Sequence, residues 1–366
     1  MLRKLTSSIF ICLATLTFSQ NSYKMLVGTY THGTTSEGIY ALEFSGKGKL
    51  VSQKLLVKSD NPSFLAFSPD RKYVYAVNET GSESTISAYA FNKTNETLTF
   101  INKVNAGGAD PCFVLATDKH VFTANYSSGS ISVFARNANG SLSDTVQIVK
   151  QGRKNFGNNH FSPSNAHQVN ISPNGRYVMG TNLGTDRIFT YTYDPTSKNN
   201  ILKYKDEILV KKNSGPRHTV FSKNGKFLYL VQELDASVTV LSVADDGKLT
   251  IIQETTLVTD KTKSNGAADI HLCPDGKFLY ATNRGEANNI TCFRVGKDGK
   301  ITFNAQYPAN GNGPRNFAIS ADGKFVFVGN QKTNNITVFS RNLLSGKLKM
   351  LDEKIEMGAP VCLLLY

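Results

Sequence analysis

GPRHTVFSKNGKFLYLVQE, residues 215–233, is the stretch whose reading decides the fold. It holds a short apolar run, a turn, and a second run rich in aromatic and aliphatic residues. Close copies read NPSFLAFSPDRKYVYAVNE from Asn61, ADPCFVLATDKHVFTANY from Ala109 and NAHQVNISPNGRYVMGTNL from Asn165. Two more read AADIHLCPDGKFLYATNR from Ala267 and GPRNFAISADGKFVFVGNQ from Gly313. In each, Pro, Asn, Asp or Gly occupies the turn, residues whose backbone preferences suit a tight hairpin. Alignment puts Pro62, Pro111, Ala166, Pro216, Ala267, Pro314 and Pro360 in one column, a period of 46 to 55 residues. Repeats of that length, filled with short strands, predict a β-propeller with one four-stranded blade per repeat.

Working outward from the hairpin gives the rest of the blade. An inner strand such as 218–222 is followed by a second such as 226–231. A third alternates apolar and polar residues, as at 130–134 and 335–339, and the fourth is variable, as at 249–256. Beyond the extreme N-terminus no stretch carries a long 3.6-residue period, so the class is all-β. The seventh copy is split. Residues 359–365 read as an inner strand at the end of the chain, while 24–30 and 38–44 read as second and third strands with no inner strand before them. Each half alone would expose an unpaired edge, and pairing them closes a seven-bladed ring. Residues 21–366 are thus expected to form a single propeller domain.

Residues 1–20 read as a secretory signal: Arg3 and Lys4, an apolar stretch over 9–18, then Thr17-Phe18-Ser19 before Gln20. The stretch is too short to span a bilayer, and Ile11 stands before Cys12 where a lipoprotein needs a small residue. A periplasmic or secreted monomer with no stable membrane insertion after signal removal is expected, the alternative being a cytoplasmic chain. Cys112 and Cys362 fall in inner strands of distant blades, and Cys273 and Cys292 in the first and third strands of one blade, so all four should stay free. The net charge of +13 comes largely from lysines spread around the hairpins, such as Lys72, Lys226, Lys277 and Lys324. No basic run with interleaved aromatics suggests nucleic acid, whereas a positive field draws small anions.

Two columns collect residues that a structural strand would not choose. After the column proline come Ser63, Cys112, His167, Arg217, Ala268, Arg315 and Val361, then Phe64, Phe113, Gln168, His218, Asp269, Asn316 and Cys362. The second strands end at Asn78-Glu79, Asn125-Tyr126, Asn182-Leu183, Gln232-Glu233, Asn283-Arg284, Asn330-Gln331 and Thr29-Tyr30. In an up-and-down blade these positions share one face of the disc and meet at the central channel. His167, Arg217, His218, Glu233, Asp269, His271, Arg284 and Arg315 would then crowd one side of its mouth, from blades three to six. Buried charge must be paired, so the crowd is either an ion-pair network or a site. Three arginines favour an anionic ligand, whose geometry the guanidinium fork matches. The recurrent asparagines suit turns or inter-blade hydrogen bonds. His120, on the hairpin of blade two, is expected on the opposite face, where replacement would be neutral.

Gly28-Thr-Tyr, Ala166-His-Gln-Val-Asn-Ile-Ser-Pro, Gly215-Pro-Arg-His, Glu233-Leu, Ala267-Ala-Asp-Ile-His and Asn283-Arg resemble the seven-bladed lactonase family. That family includes the propeller type of 6-phosphogluconolactonase and the fungal carboxy-muconate cyclases. The resemblance implies His167, Arg217, Glu233 and Arg284 as site residues, with His218, Asp269 and His271 beside them. Asn165 stands where family members often have histidine, and 152–164, which holds Arg153 and His160, is longer than usual.

The activity so implied is hydrolysis of a small anionic or sugar-like lactone, with no cofactor. Such a reaction needs a base for water and donors for the oxyanion. Glu233 is the expected base with His167 as the alternative, Arg284 and Arg217 stabilise the oxyanion or grip an anionic substituent, and Arg217, His218, Asp269, His271 and Arg315 contact substrate. No G-x-S-x-G or H-E-x-x-H motif indicates a serine nucleophile or zinc. A divalent cation on Asp269, Glu233 and asparagines would be opposed by the arginines. A non-catalytic propeller holding an anionic carbohydrate or peptide, and a muconate-type lactonising isomerase, are the alternatives.

Overall fold

A computed structural model describes residues 22–152 and 164–366. The signal segment, Arg153 and His160 lie outside the described residues. Seven antiparallel sheets of four strands each are present, with neighbouring strands consecutive in sequence in six of them. The seventh joins the chain ends: Pro360–Leu365 lies innermost, followed by Tyr23–Thr29, Gly38–Phe44 and Leu50–Lys58. Met25 faces Leu365, Leu26 faces Leu364 and Gly28 faces Cys362. The split blade expected from the sequence therefore closes the ring. No helix among the described residues is long and apolar enough to cross a membrane.

The core is divided among the blade interfaces. Seven clusters of buried residues occur, each uniting the facing sheets of two adjacent blades. Met25, Val27, Phe44, Phe327 and Leu363 fill the interface of blades six and seven, and Leu26, Ile39, Leu65, Val74 and Cys362 that of blades seven and one. Strands buried on both faces explain why the second runs, such as Phe227–Gln232, read as continuous apolar segments instead of alternating.

The hairpins share one device. Ser68 Oγ contacts Asp70 and accepts the Tyr73 amide, and Ser172, Ser222 and Ser320 act in the same way with Asn174, Asn224 and Asp322. Cys273 takes the serine's place in blade five: its thiol donates to Asp275 at 2.7 Å and its sulfur accepts the Phe278 amide at 3.1 Å. It sits in the turn just past Ala267–Leu272, not in the strand as the sequence suggested. All four described cysteines are free and buried. The recurrent asparagines bind strand ends to the preceding crossover, as expected: Asn78 donates to Ser59 and the Asp60 carbonyl, Asn182 to Gln151 and Ser164. His120 departs from expectation. It is buried, its ring 2.9 Å from the Tyr193 hydroxyl of blade three, so it braces an interface and its replacement would not be neutral.

Candidate active site

One backbone irregularity presents the candidate side chains. In the inner strands of blades two, three, four, six and seven, the pairing slips at the column residue. One residue bulges out, namely Cys112, His167, Arg217, Arg315 or Val361. Blade five slips over Ala268 and Asp269 together. A bulge re-aims a side chain that a regular ladder would place against the neighbouring sheet. The second-strand exit is fixed from the other side: the amides of Glu79, Tyr126, Glu233 and Arg284 bond the carbonyls of Asn61, Asp110, Gly215 and Gly266 just before each column. Gly215 holds φ at +68°, a backbone conformation that glycine adopts without steric cost.

These devices bring Arg217, Glu233 and Arg284 into one cluster. Glu233 Oε2 accepts from Arg217 Nε at 2.7 Å and from Arg284 Nη2 at 3.0 Å. Arg217, 1% exposed, also donates to the Ala268 carbonyl, and Arg284 donates to the carbonyl of Gly266 at 2.8 Å. Among the described residues Arg217 Nη2 and Arg284 Nη1 have no partner, so each guanidinium keeps open donors. Burial opposes ionisation of Glu233, but the charges of Arg217, Arg284 and Arg315 outweigh it and hold the carboxyl below its ordinary range. Burial and the Arg217 charge pull Arg284 down to about 10.

His167 stands beside this cluster, its ring 5.1 Å from His218 and 5.7 Å from Tyr126. Burial, then Arg217, His218 and the other guanidiniums, hold it well below its ordinary value, so it is neutral at pH 7. Its Nδ1 is buried without a hydrogen-bond partner among the described residues. An orphaned polar atom in such a place is unusual and suits a site that another molecule completes.

His218 and Asp269 lie one residue further along the inner strands and do another job. Asp269 Oδ1 meets His218 Nδ1 at 2.8 Å, while Oδ2 takes His271 Nε2 at 2.9 Å, Asn316 Nδ2 at 2.6 Å and the Phe317 amide at 3.3 Å. Equivalent residues stitch other blades: Gln168 accepts the Thr219 amide, Asn316 that of Leu363, and the Cys362 sulfur that of Leu65. The ring of contacts is a seam joining inner strands, and Asp269, the expected substrate contact, is its hub. Burial and Arg217 push His218 down to about 4 despite Asp269. His271, at the channel wall, is raised because the Asp269 charge outweighs burial. Its side chain is 41% exposed. Neither carboxylate offers a vacant cradle for a cation, since Asp269 is saturated by donors and Glu233 is gripped by two guanidiniums.

Arg315 is not in the Glu233 cluster. It crosses toward blades seven and one, donating to the Tyr30 hydroxyl at 3.0 Å with its guanidinium 5.4 Å from that ring. Tyr30 in turn donates to Glu79 at 2.8 Å, and Ser63 donates to the same oxygen at 2.6 Å. The polar mouth therefore extends beyond blades three to six. Sequence reasoning passed over Tyr30, Glu79 and Tyr126, although they occupy the same exit column as Glu233 and Arg284.

Comparison with known proteins shows the family to which this fold belongs. The family model "Lactonase, 7-bladed beta-propeller" matches residues 24–365. The chain belongs to the seven-bladed β-propeller lactonase family. Within that family it is 31% identical to 6-phosphogluconolactonase of Bacillus subtilis, over 92% of this chain and 96% of that one. It is 32% identical to 6-phosphogluconolactonase of Formosa agariphila, covering 93% and 99%. The solved structure of Pseudomonas aeruginosa periplasmic gluconolactonase superposes with a TM-score of 0.86 at 31% identity, covering 94% and 99% of the two chains.

Proposed function

We propose that this protein is an exported hydrolase that opens a sugar-type lactone, a gluconolactone or its 6-phosphate. The observation that carries the proposal is the convergence of Arg217 and Arg284 on one carboxylate, with open donors on each, beside a neutral His167. Ester hydrolysis develops negative charge on the carbonyl oxygen, and preorganised donors in a water-poor site stabilise it without reorganisation. Arg284 and Arg217 supply those donors, and Glu233 fixes them in place. As a proton acceptor Glu233 is weakened, because the guanidiniums favour its ionised form and a good base has a pKa near the working pH. The unpartnered His167 Nδ1 is positioned to bind a substrate hydroxyl. The periplasmic gluconolactonase of P. aeruginosa, together with the signal-like residues 1–20, supports an exported enzyme acting on unphosphorylated lactone as well.

Acid release in a pH-stat tests this. Purified protein is expected to accelerate opening of glucono-δ-lactone or its 6-phosphate well above the spontaneous rate. Binding without turnover would favour a non-catalytic carbohydrate propeller, and ring closure of a muconate without lactone hydrolysis would favour an isomerase.

A further inference from the structure

Glu79 and Glu233 occupy equivalent exits on the same mouth, and Arg315 lies within the field of both. Their surroundings differ in kind. Glu233 is neutralised by two guanidiniums, whereas among the described residues the Glu79 side chain accepts only from the hydroxyls of Tyr30 and Ser63, both on Oε2. Glu79 Oε1 has no bond to any described residue. Glu233 is held in an ion pair with Arg217 and Arg284, whereas Glu79 is held by hydroxyl donors alone and keeps one carboxylate oxygen open to a water. The neighbours cannot substitute for it. Burial raises the Tyr30 phenol above its ordinary value despite Arg315, so it stays protonated and serves as donor to Glu79. The neutral His167 ring, shifted well down, takes up a proton poorly.

Resting on the lactonase activity proposed above, we infer that Glu79 takes the proton from the water that attacks the lactone carbonyl. The water oxygen bonds to the carbonyl carbon as one of its protons passes to Glu79 Oε1. The C=O electron pair moves onto oxygen, facing Arg284 and Arg217. Collapse restores the C=O bond and breaks the ring C–O bond. The departing ring oxygen then takes the proton from the Glu79 carboxyl. One water is consumed, one hydroxy acid is formed, and the carboxylate is regenerated. Tyr30 and Ser63 are positioning residues that hold Oε2 and leave Oε1 open.

The test measures kcat and KM for the full-length protein, Glu79→Gln, Glu79→Ala and Arg284→Met on the lactone the parent opens fastest. Glu79→Gln is expected to lose about 10² in kcat with KM little changed. Glu79→Ala is expected to regain rate with added formate, which a merely structural role would not produce. Parental kcat in Glu79→Gln, or no formate response in Glu79→Ala, overturns the inference. If Arg284→Met is slow in that case, lactonase activity at this mouth still stands. If the parent opens no lactone, both fall together.

Discussion

Deleting residues 360–366 is expected to abolish the soluble fold. Pro360–Leu365 is the innermost strand of its blade and pairs with Tyr23–Thr29, so its loss strips the inner side of Tyr23–Thr29 of its hydrogen-bonding partner. Val361, Cys362 and Leu363 are nearly inaccessible, and the strand feeds the cores on both sides of blade seven. Complete burial of a side chain of this size contributes about 1.5–3 kcal/mol, so the strand is worth roughly 5–10 kcal/mol, comparable with the whole stability of an ordinary domain. The Leu363 amide's bond to Asn316 and the Leu65 amide's bond to Cys362 sulfur go as well. Thermal denaturation of the soluble fraction checks this. A truncated chain that stays soluble and melts within a few degrees of the parent would contradict ring closure by the chain ends.

Glu233→Gln is expected to damage both stability and rate. The substitution keeps shape and removes the charge that offsets Arg217, a guanidinium with almost no solvent access. Breaking a buried pair from one side costs about 3–5 kcal/mol, and the 23% exposure of the Glu233 side chain points to the lower end. Activity should fall by about 10³, because each displaced oxyanion donor is worth about 10²–10³. Urea denaturation beside lactone kinetics separates the roles. Loss of rate with unchanged stability would return Glu233 to the role of proton acceptor, and no loss of either would remove it from the site.

The propeller was legible because its evidence is periodic. Proline, turn and apolar columns repeat in six copies, and the split copy accounts for both chain ends. Arg217, Glu233 and Arg284 were legible for the same reason, as charged residues in repeat columns that the blade topology brings to one end of the channel. Three features were hidden. The bulges beside the column residue leave no compositional mark, so residues one and two places beyond it looked equivalent. In the structure Arg217 reaches the mouth while His218 and Asp269 join an inter-blade seam. Tyr30 and Glu79 belong to blades seven and one and were separated in sequence from the charged crowd, although Arg315 bridges to them in space. The brace between His120 and Tyr193 joins residues 73 positions apart, which no local pattern announces.

The central claim is that guanidiniums at the channel mouth, and Arg284 above all, stabilise the oxyanion of lactone opening. Arg284→Met retains the side chain's apolar bulk and removes its donors. The direct measurement is kcat/KM for the parent and Arg284→Met on the same lactone, with melting temperatures recorded alongside. A fall of about 10²–10³ with the fold retained is the expected result. Equal kcat/KM in a folded Arg284→Met protein would contradict it.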